Sequence, residues 1–286
     1  NLNGNVTVSS GIQEWVVPKT GTYSIEAWGA DGGKTTYYNY QGGEGARMKG
    51  DFELTAGETI KILVGQAGQT AYRASGGGGG TFITTASNEP LLIAGGGGGI
   101  DYNYNNFYEY GTISNNGNHA SNYDNGGTNG NGGGGTSSWI YGGSGGGGFY
   151  TNGGDGYSSS SPGLAFVNGG AGGDNYNNNG GEGGFGGGGG ANGWYNIAGG
   201  AGGGGGGYSG GGAYTHSAGG GGSYNTGLNQ DNSDGSNDGD GKHGKVIITF
   251  AEQIPWLLVD SSIDTLFPGN NKDINLTFDS KDLSAG

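Results

Sequence analysis

The chain contains no cysteine, so disulfides contribute nothing to its stability. Cysteine-free chains occur in many compartments, and a bacterial exported protein is one such setting. Basic residues are scarce: 10 Lys and Arg stand against 24 Asp and Glu, for a formal net charge of −14. No run of Lys or Arg offers the basic face that a phosphate backbone or an anionic membrane requires, which argues against nucleic acid and membrane surfaces as partners. No apolar stretch reaches 18 residues, so no segment reads as a membrane-inserted helix. The residues after Asn1 lack a leader pattern, and the chain is read as a mature or excised piece of a longer one. No stretch carries apolar residues at helical spacing.

Glycine is what the sequence has in excess: 78 of 286 residues. Such a composition by itself points to low complexity or disorder. An aromatic content of 11% and short alternating apolar runs oppose that default, because they supply a core to bury. Tyr23, Ile25 and Ala27 alternate with Ser24 and Glu26. Met48, Phe52 and Leu54 fall on one face, with Lys49, Asp51 and Glu53 on the other. Ile60, Ile62 and Val64 follow the same period of two, and Phe82–Thr84 and Leu91–Ile93 make two further short strands. Far downstream, Val246, Ile248 and Phe250 share one face of a closing strand.

Between these β segments lie glycine runs at 95–99, 132–135, 145–148, 186–190, 202–207 and 219–222, with an earlier one at 76–80. Glycine is a poor helix former, at about 1 kcal/mol per residue relative to Ala. It does adopt the threefold polyproline-type helix, which rises about 3.1 Å per residue and makes no internal hydrogen bonds. If such runs are buried, every N–H must bond to a neighbouring run. The sequence thus predicts a packed bundle of polyglycine II helices rather than flexible linkers. The domain division expected is a split β-sandwich at 1–94 plus 241–252, a glycine-rich insertion at 95–240, and a new unit at 253–286, where Ile254–Val259 and Asp273–Phe278 again read as strands.

The order of motifs resembles a known family. Trp15…Pro18-x-Thr20-Gly21-x-Tyr23-x-Ile25-x-Ala27-x-Gly29-Ala30-x-Gly32-Gly33 is followed by Gly45-Ala46, Phe52-x-Leu54, Gly57-Glu58 and Ile62-Leu63-Val64-Gly65-Gln66. Then come 76–81, Glu89-Pro90-Leu91-Leu92-Ile93-Ala94 and Gly244-Lys245-Val246-Ile247-Ile248. Over residues 12–250 this string resembles the glycine-rich domain in the ectodomains of anaplastic lymphoma kinase and leukocyte tyrosine kinase, and is similar to glycine-rich domains of bacterial surface proteins. The resemblance implies an all-β fold: a jelly-roll sandwich like that of tumour necrosis factor, carrying an inserted polyglycine II bundle. The segment from Ile254 resembles the start of an Ig-like repeat of bacterial proteins exported by type IX secretion. The family's cysteines, kinase segment and transmembrane segment have no counterpart here, so receptor activity and its ligands do not carry over.

Catalytic motifs are missing. His119, His216 and His243 have no second His or Cys at zinc-ligand spacing and read as solvated-loop residues. Gly33-Lys34-Thr35 ends like a phosphate loop, but Trp28 stands where its first glycine belongs. No nucleophile elbow follows a strand. The reading is a non-enzyme without a cofactor. Asp231, Asp234, Asp238 and Asp240 offer oxygens that suit calcium, although the EF-hand spacing fails and a solvated acidic loop is the simpler reading.

The Tyr-, Asn- and Ser-rich spacers carry the functional signal, since rigid tyrosines with adaptable amides are a recognition palette. The candidate contacts are Tyr102, Tyr104, Phe107, Tyr108, Tyr110, Tyr141, Tyr150 and Tyr195; Trp139 and Trp194, beside glycine runs, lean structural. The expected function is a binding or adhesion module of a secreted or cell-surface bacterial protein that contacts a glycan or a protein. Other domains or the export machinery of the parent protein are further partners. The alternative is a structural spacer that displays neighbouring domains. Ice binding is a third reading, opposed by the bulky spacers.

Overall fold

The computed structural model describes residues 6–37, 39–101, 110–120, 125–137, 140–158, 160–193, 200–216, 218–235, 242–251, 257–259 and 276–278. The chain divides into two units, Asn1–Thr249 and Phe250–Gly286.

The first unit is an all-β structure with two antiparallel sheets. Eight strands come first: β1 (Val6–Ser9), β2 (Ile12–Val16), β3 (Gly21–Trp28), β4 (Arg47–Leu54), β5 (Thr59–Leu63), β6 (Thr81–Thr85), β7 (Pro90–Ala94) and β8 (Tyr224–Asn225). The closing strand is β9 (Lys245–Phe250). One sheet has the order β1-β2-β5-β6-β7-β8 and the other β4-β3-β9. Turn chemistry sets the first hairpin: Ser10 and Gly11, at φ 50° and 81°, form the two-residue connection between β1 and β2. Pro90 opens β7 opposite Thr84, where the β6–β7 register shifts and a missing N–H is tolerated.

The period-two pattern places the core as the sequence predicts. Tyr23, Ile25 and Ala27 of β3 and Met48, Phe52 and Leu54 of β4 are buried. On the larger sheet, Trp15, Ile60, Ile62, Ile83 and Leu92 are buried too. Trp15 meets Tyr23 edge-on at 5.5 Å, closing the gap between the sheets. The flanks of β6 and β7 are buried on their second face as well. Leu63, Phe82, Ile93 and Tyr224 are successive cross-strand partners, and they meet the glycine region through Phe149, Phe166, Phe185 and Tyr208. Phe149, Phe185 and Tyr208 each border a glycine run, and Phe166 begins a short 3₁₀ turn, Phe166–Asn168. The rings of Phe149 and Phe166 stack at 5.1 Å, and Phe82 stacks on Phe166 at the same distance. The bundle is thus held to the sandwich by aromatic rings at the ends of its runs.

Residues 202–207 show how the runs associate. Their N–H groups donate in strict rotation to three neighbours: Gly202 and Gly205 to His216 and Gly219, Gly203 and Gly206 to Ser75 and Gly78, Gly204 and Gly207 to Ser144 and Gly147. The spacing of three is the period of the polyglycine helix, so each neighbour is met once per turn. Three further runs donate back, through Gly99 and Gly96, Gly189, and Gly211. Six neighbours therefore surround this run, three accepting from it and three donating to it. None of its glycines lies in the left-handed region. Glycine is required because a Cβ on Gly203 would stand 1.8 Å from the Gly189 oxygen, and one on Gly205 would stand 2.2 Å from the Gly96 oxygen.

The lattice is not confined to 95–240. Gly29, Gly32, Gly43, Gly68 and 76–80 bond into it, while β8 lies inside 95–240 and pairs with β7. Sandwich and bundle interleave along the chain because every β-strand that ends at the bundle continues directly into a glycine segment.

In the second unit, β10 (Leu257–Val259) and β11 (Leu276–Phe278) pair antiparallel. The rest of the Ig-like segment expected at 253–286 lies outside the described residues.

Candidate binding face at the distal end of the bundle

The glycine segments have two ends. The near end holds the aromatic rings that meet the sandwich. At the far end the chain reverses in short loops, and isolated β-bridges join them side by side: Lys34 with Gln41, Thr35 with Ala71, Ala74 with Gly180, Tyr176 with Asn192, Asn192 with Ala201, and Ala201 with His216. This series ties loops far apart in sequence side by side at their bases, where Thr35, Ala74, Asn192 and Ala201 are fully buried.

The first part of the face is aromatic. The loop closed by Lys34 and Gln41 displays Tyr37 and Tyr40, and the neighbouring loop displays Tyr72; their exposures are 46%, 38% and 45%. Tyr37 and Tyr72 meet edge-on, with centroids 5.0 Å apart and planes at 70°. The Tyr37 N–H donates to the Tyr72 carbonyl. The Arg73 guanidinium carbon lies 4.9 Å from the centroid of Tyr37 and 5.6 Å from that of Tyr72. Further along, Tyr157 and Tyr176 form a second edge-on pair at 5.9 Å.

Polar side chains are buried beneath it. Ser75 Oγ accepts from the Ile100 N–H and donates to the Ile100 carbonyl. Asn192 is fully buried; its Nδ2 donates to the carbonyls of Ile140 and Gly142, which fixes the loop that carries Tyr141. Asp101 is also fully buried, and its Oδ2 lies 2.9 Å from His216 Nδ1. That hydrogen bond, and secondarily the charge of Asp101, raise the His216 pKa above its ordinary value, against an opposing effect of burial. His216 is held in the left-handed region, at φ 80°, by its bridge to Ala201.

His119 and His243 are exposed in loops, as the sequence predicts, whereas His216 is paired with a buried carboxylate. His119 Nδ1 accepts from the Gly126 N–H and His243 Nδ1 from the Ala67 N–H, while His216 pairs with Asp101. Each Nδ1 serves a backbone group or a carboxylate that local sequence spacing cannot reveal.

The predicted contacts disperse. Tyr141 is half-buried at the far end. Tyr110 is exposed on the flank, with its ring against Gly235. Tyr150 is at the near end, edge-on to Phe149 at 4.9 Å and covering Gly130. Tyr208 stacks with Tyr224 at 4.6 Å, and burial together with Tyr150 and Tyr224 pushes its phenol pKa up. Tyr102, Tyr104, Phe107, Tyr108 and Tyr195, with Trp139 and Trp194, lie outside the described residues. Tyr37, Tyr40, Tyr72 and Arg73 were missed by sequence reasoning because they precede Gly95, in what reads as sandwich. The signal was present in the Thr35-Thr36-Tyr37-Tyr38-Asn39-Tyr40 spacer, which uses the same residues as the later ones.

The acidic loop has other work. Asp231 accepts from Arg47 Nη2 at 3.0 Å, and this hydrogen bond holds its pKa below the ordinary value. Asp234 Oδ1 accepts from the Ile113 N–H. Both carboxylates thus have partners within the chain, Asp238 and Asp240 lie outside the described residues, and no metal-capable cluster of His, Asp or Glu occurs among the described residues.

No protein-family model matches the chain. Over 61 residues the chain is 46% identical to the leukocyte tyrosine kinase receptor of Mus musculus, a match covering 21% of this chain and 7% of the receptor. The chain therefore spans a small part of the length of the curated relative it matches. Within those limits the match supports the resemblance carried by the ordered motifs.

Proposed function

We propose that the protein is an extracellular binding or adhesion module that uses the polyglycine bundle as a rigid stalk and the distal loops as its contact surface. One observation carries this reading: the series of bridges from Lys34 to His216 ties loops from across the chain side by side at the end bearing exposed tyrosines. Rigid aromatic rings beside Asn and Gln suit a sugar ring or a protein surface. The likeness to a receptor sequence favours a secreted or cell-surface location. Likeness to bacterial surface domains, and of the final segment to repeats of type IX-exported proteins, favours a bacterial parent whose other domains or export machinery are further partners. The module acts by binding, without catalysis or a cofactor.

The test is a glycan array and a surface-protein capture assay with the 286-residue chain and three variants. Tyr37→Ala and Tyr72→Ala should lose capture, whereas Tyr150→Ala, altered at the opposite end, should retain it. The spacer reading draws on the near-end rings, which serve docking alone. Absence of capture, with no effect from any variant, would favour it.

A further inference from the structure

We infer that the distal face contains an anion subsite centred on Arg73, and that its ligand is the carboxylate of an acidic sugar. This rests on the distal end being a glycan-binding face, as proposed above.

The chain has two arginines, Arg47 and Arg73. Arg47 is satisfied internally: its guanidinium bonds to Glu26 and Asp231 and lies 5.9 Å from the centroid of the Trp28 ring. Arg73 differs. No carboxylate pairs with it among the described residues, and no acceptor there takes its side-chain donors. Yet its backbone is anchored. The N–H groups of Arg73 and Ala74 converge on the Asn179 carbonyl at 3.0 and 3.3 Å, and Ala74 is fully buried. The rings of Tyr37 and Tyr72, set at 70°, hold the guanidinium in their corner.

Stacking on aromatic faces suits the weakly hydrated guanidinium, and it leaves the planar fork of N–H donors in the ring plane available. That fork matches a carboxylate in bidentate geometry. In a chain of net charge −14, an arginine without an acidic partner stands out from its surroundings. A sugar carboxylate fits better than an acidic peptide for two reasons. Tyr37, Tyr40 and Tyr72 offer flat surfaces for a pyranose ring near the Arg73 guanidinium. A run of peptide carboxylates would meet the protein's own negative field, whereas a single carboxylate at Arg73 is screened from charges more than about 8 Å away at physiological salt.

The experiment is isothermal titration of the 286-residue chain with a monomeric uronic acid glycoside and with sialyllactose, each beside its methyl ester. At least one acid should bind at least about tenfold more tightly than its ester, the lower end for a charge-assisted hydrogen bond. Arg73→Ala should erase that gap without shifting the melting temperature. Arg73→Lys, a charge without a fork, should restore only part of it. Equal affinity for acid and ester, an undiminished gap in Arg73→Ala, or equal competition by a poly-glutamate peptide would overturn the inference. So would no binding of either acid. If Tyr37→Ala still abolishes capture on the array in that case, the subsite alone has failed; if no array signal depends on the distal tyrosines, the binding reading fails with it.

Discussion

At the scale of the residue, what decides a glycine's importance here is the space for a Cβ. Gly205 and Gly57 make the contrast. A Cβ on Gly205 would press against backbone of the runs containing Gly96 and Gly221, whereas Gly57, in the β4–β5 turn at φ 88°, has open space around it. Gly205→Ala should therefore destabilise by about 3 kcal/mol, the upper end of overpacking costs. Gly57→Ala should cost about 1–2 kcal/mol, through its left-handed backbone alone. Urea melts of the two variants, compared at equal m-value, check the ranking. His216 supplies a pH dependence. Its pKa is raised in the folded state by Asp101, so the pair's stabilisation is fully present below the unfolded value of about 6.5 and is lost as pH rises through the elevated folded value. The melting-temperature gap between the parent chain and His216→Gln should be wide at acidic pH and narrow at alkaline pH; a gap independent of pH would contradict the pairing. This contact was not legible in the sequence, since Asp101 and His216 are brought together only by the lattice between them.

At the scale of the element, the strands were legible and the docking of the glycine runs was not. Alternation in β3, β4 and β5 reads directly as one buried face, because side chains on a strand alternate. The second burial of Phe82 and Ile93 could not be read that way. It depends on Phe149, Phe166, Phe185 and Tyr208, which arrive from irregular segments with no period of their own. Phe149→Ala should cost about 3–5 kcal/mol, typical of a buried phenylalanine. Hydrogen exchange should show protection falling together along 145–148, 202–207 and β3, as a cooperative unit requires. Tyr150→Ala, with its ring half-exposed, should leave both runs protected. Tyr150, a candidate contact by composition, lies with its ring against Gly130 at the docking seam, a placement that only the fold reveals.

At the scale of the whole molecule, the glycine lattice extends across the boundary drawn at Gly95, because glycine segments continue from β3, β5 and β7 and return into β6 and β8. Among the described residues of the first unit, no linker separates sandwich from bundle. Each interior hydrogen bond contributes about 0.5–1.5 kcal/mol net, against about 1–2 kcal/mol to order each residue's backbone. The lattice consequently relies on close packing and on its aromatic seam as well as on its bonds. The first unit should unfold in one calorimetric transition, with the amides of 202–207 exchanging only through global opening. An early transition that frees the glycine amides while β3 and β4 remain protected would show that the two parts are separable.

The period-three bonding of 202–207 has a consequence for reach. A polyglycine helix carries no side chains to set its phase, so its register is fixed by what stands at its two ends: rings below, loops above. Run length then acts as a ruler graduated in steps of about 3.1 Å. Adding one turn of three glycines to every run would lift the distal loops by about 9 Å while leaving each run's choice of neighbours unchanged. The height at which the distal loops stand above the sandwich is thus a count of glycines, adjustable without redesigning either end.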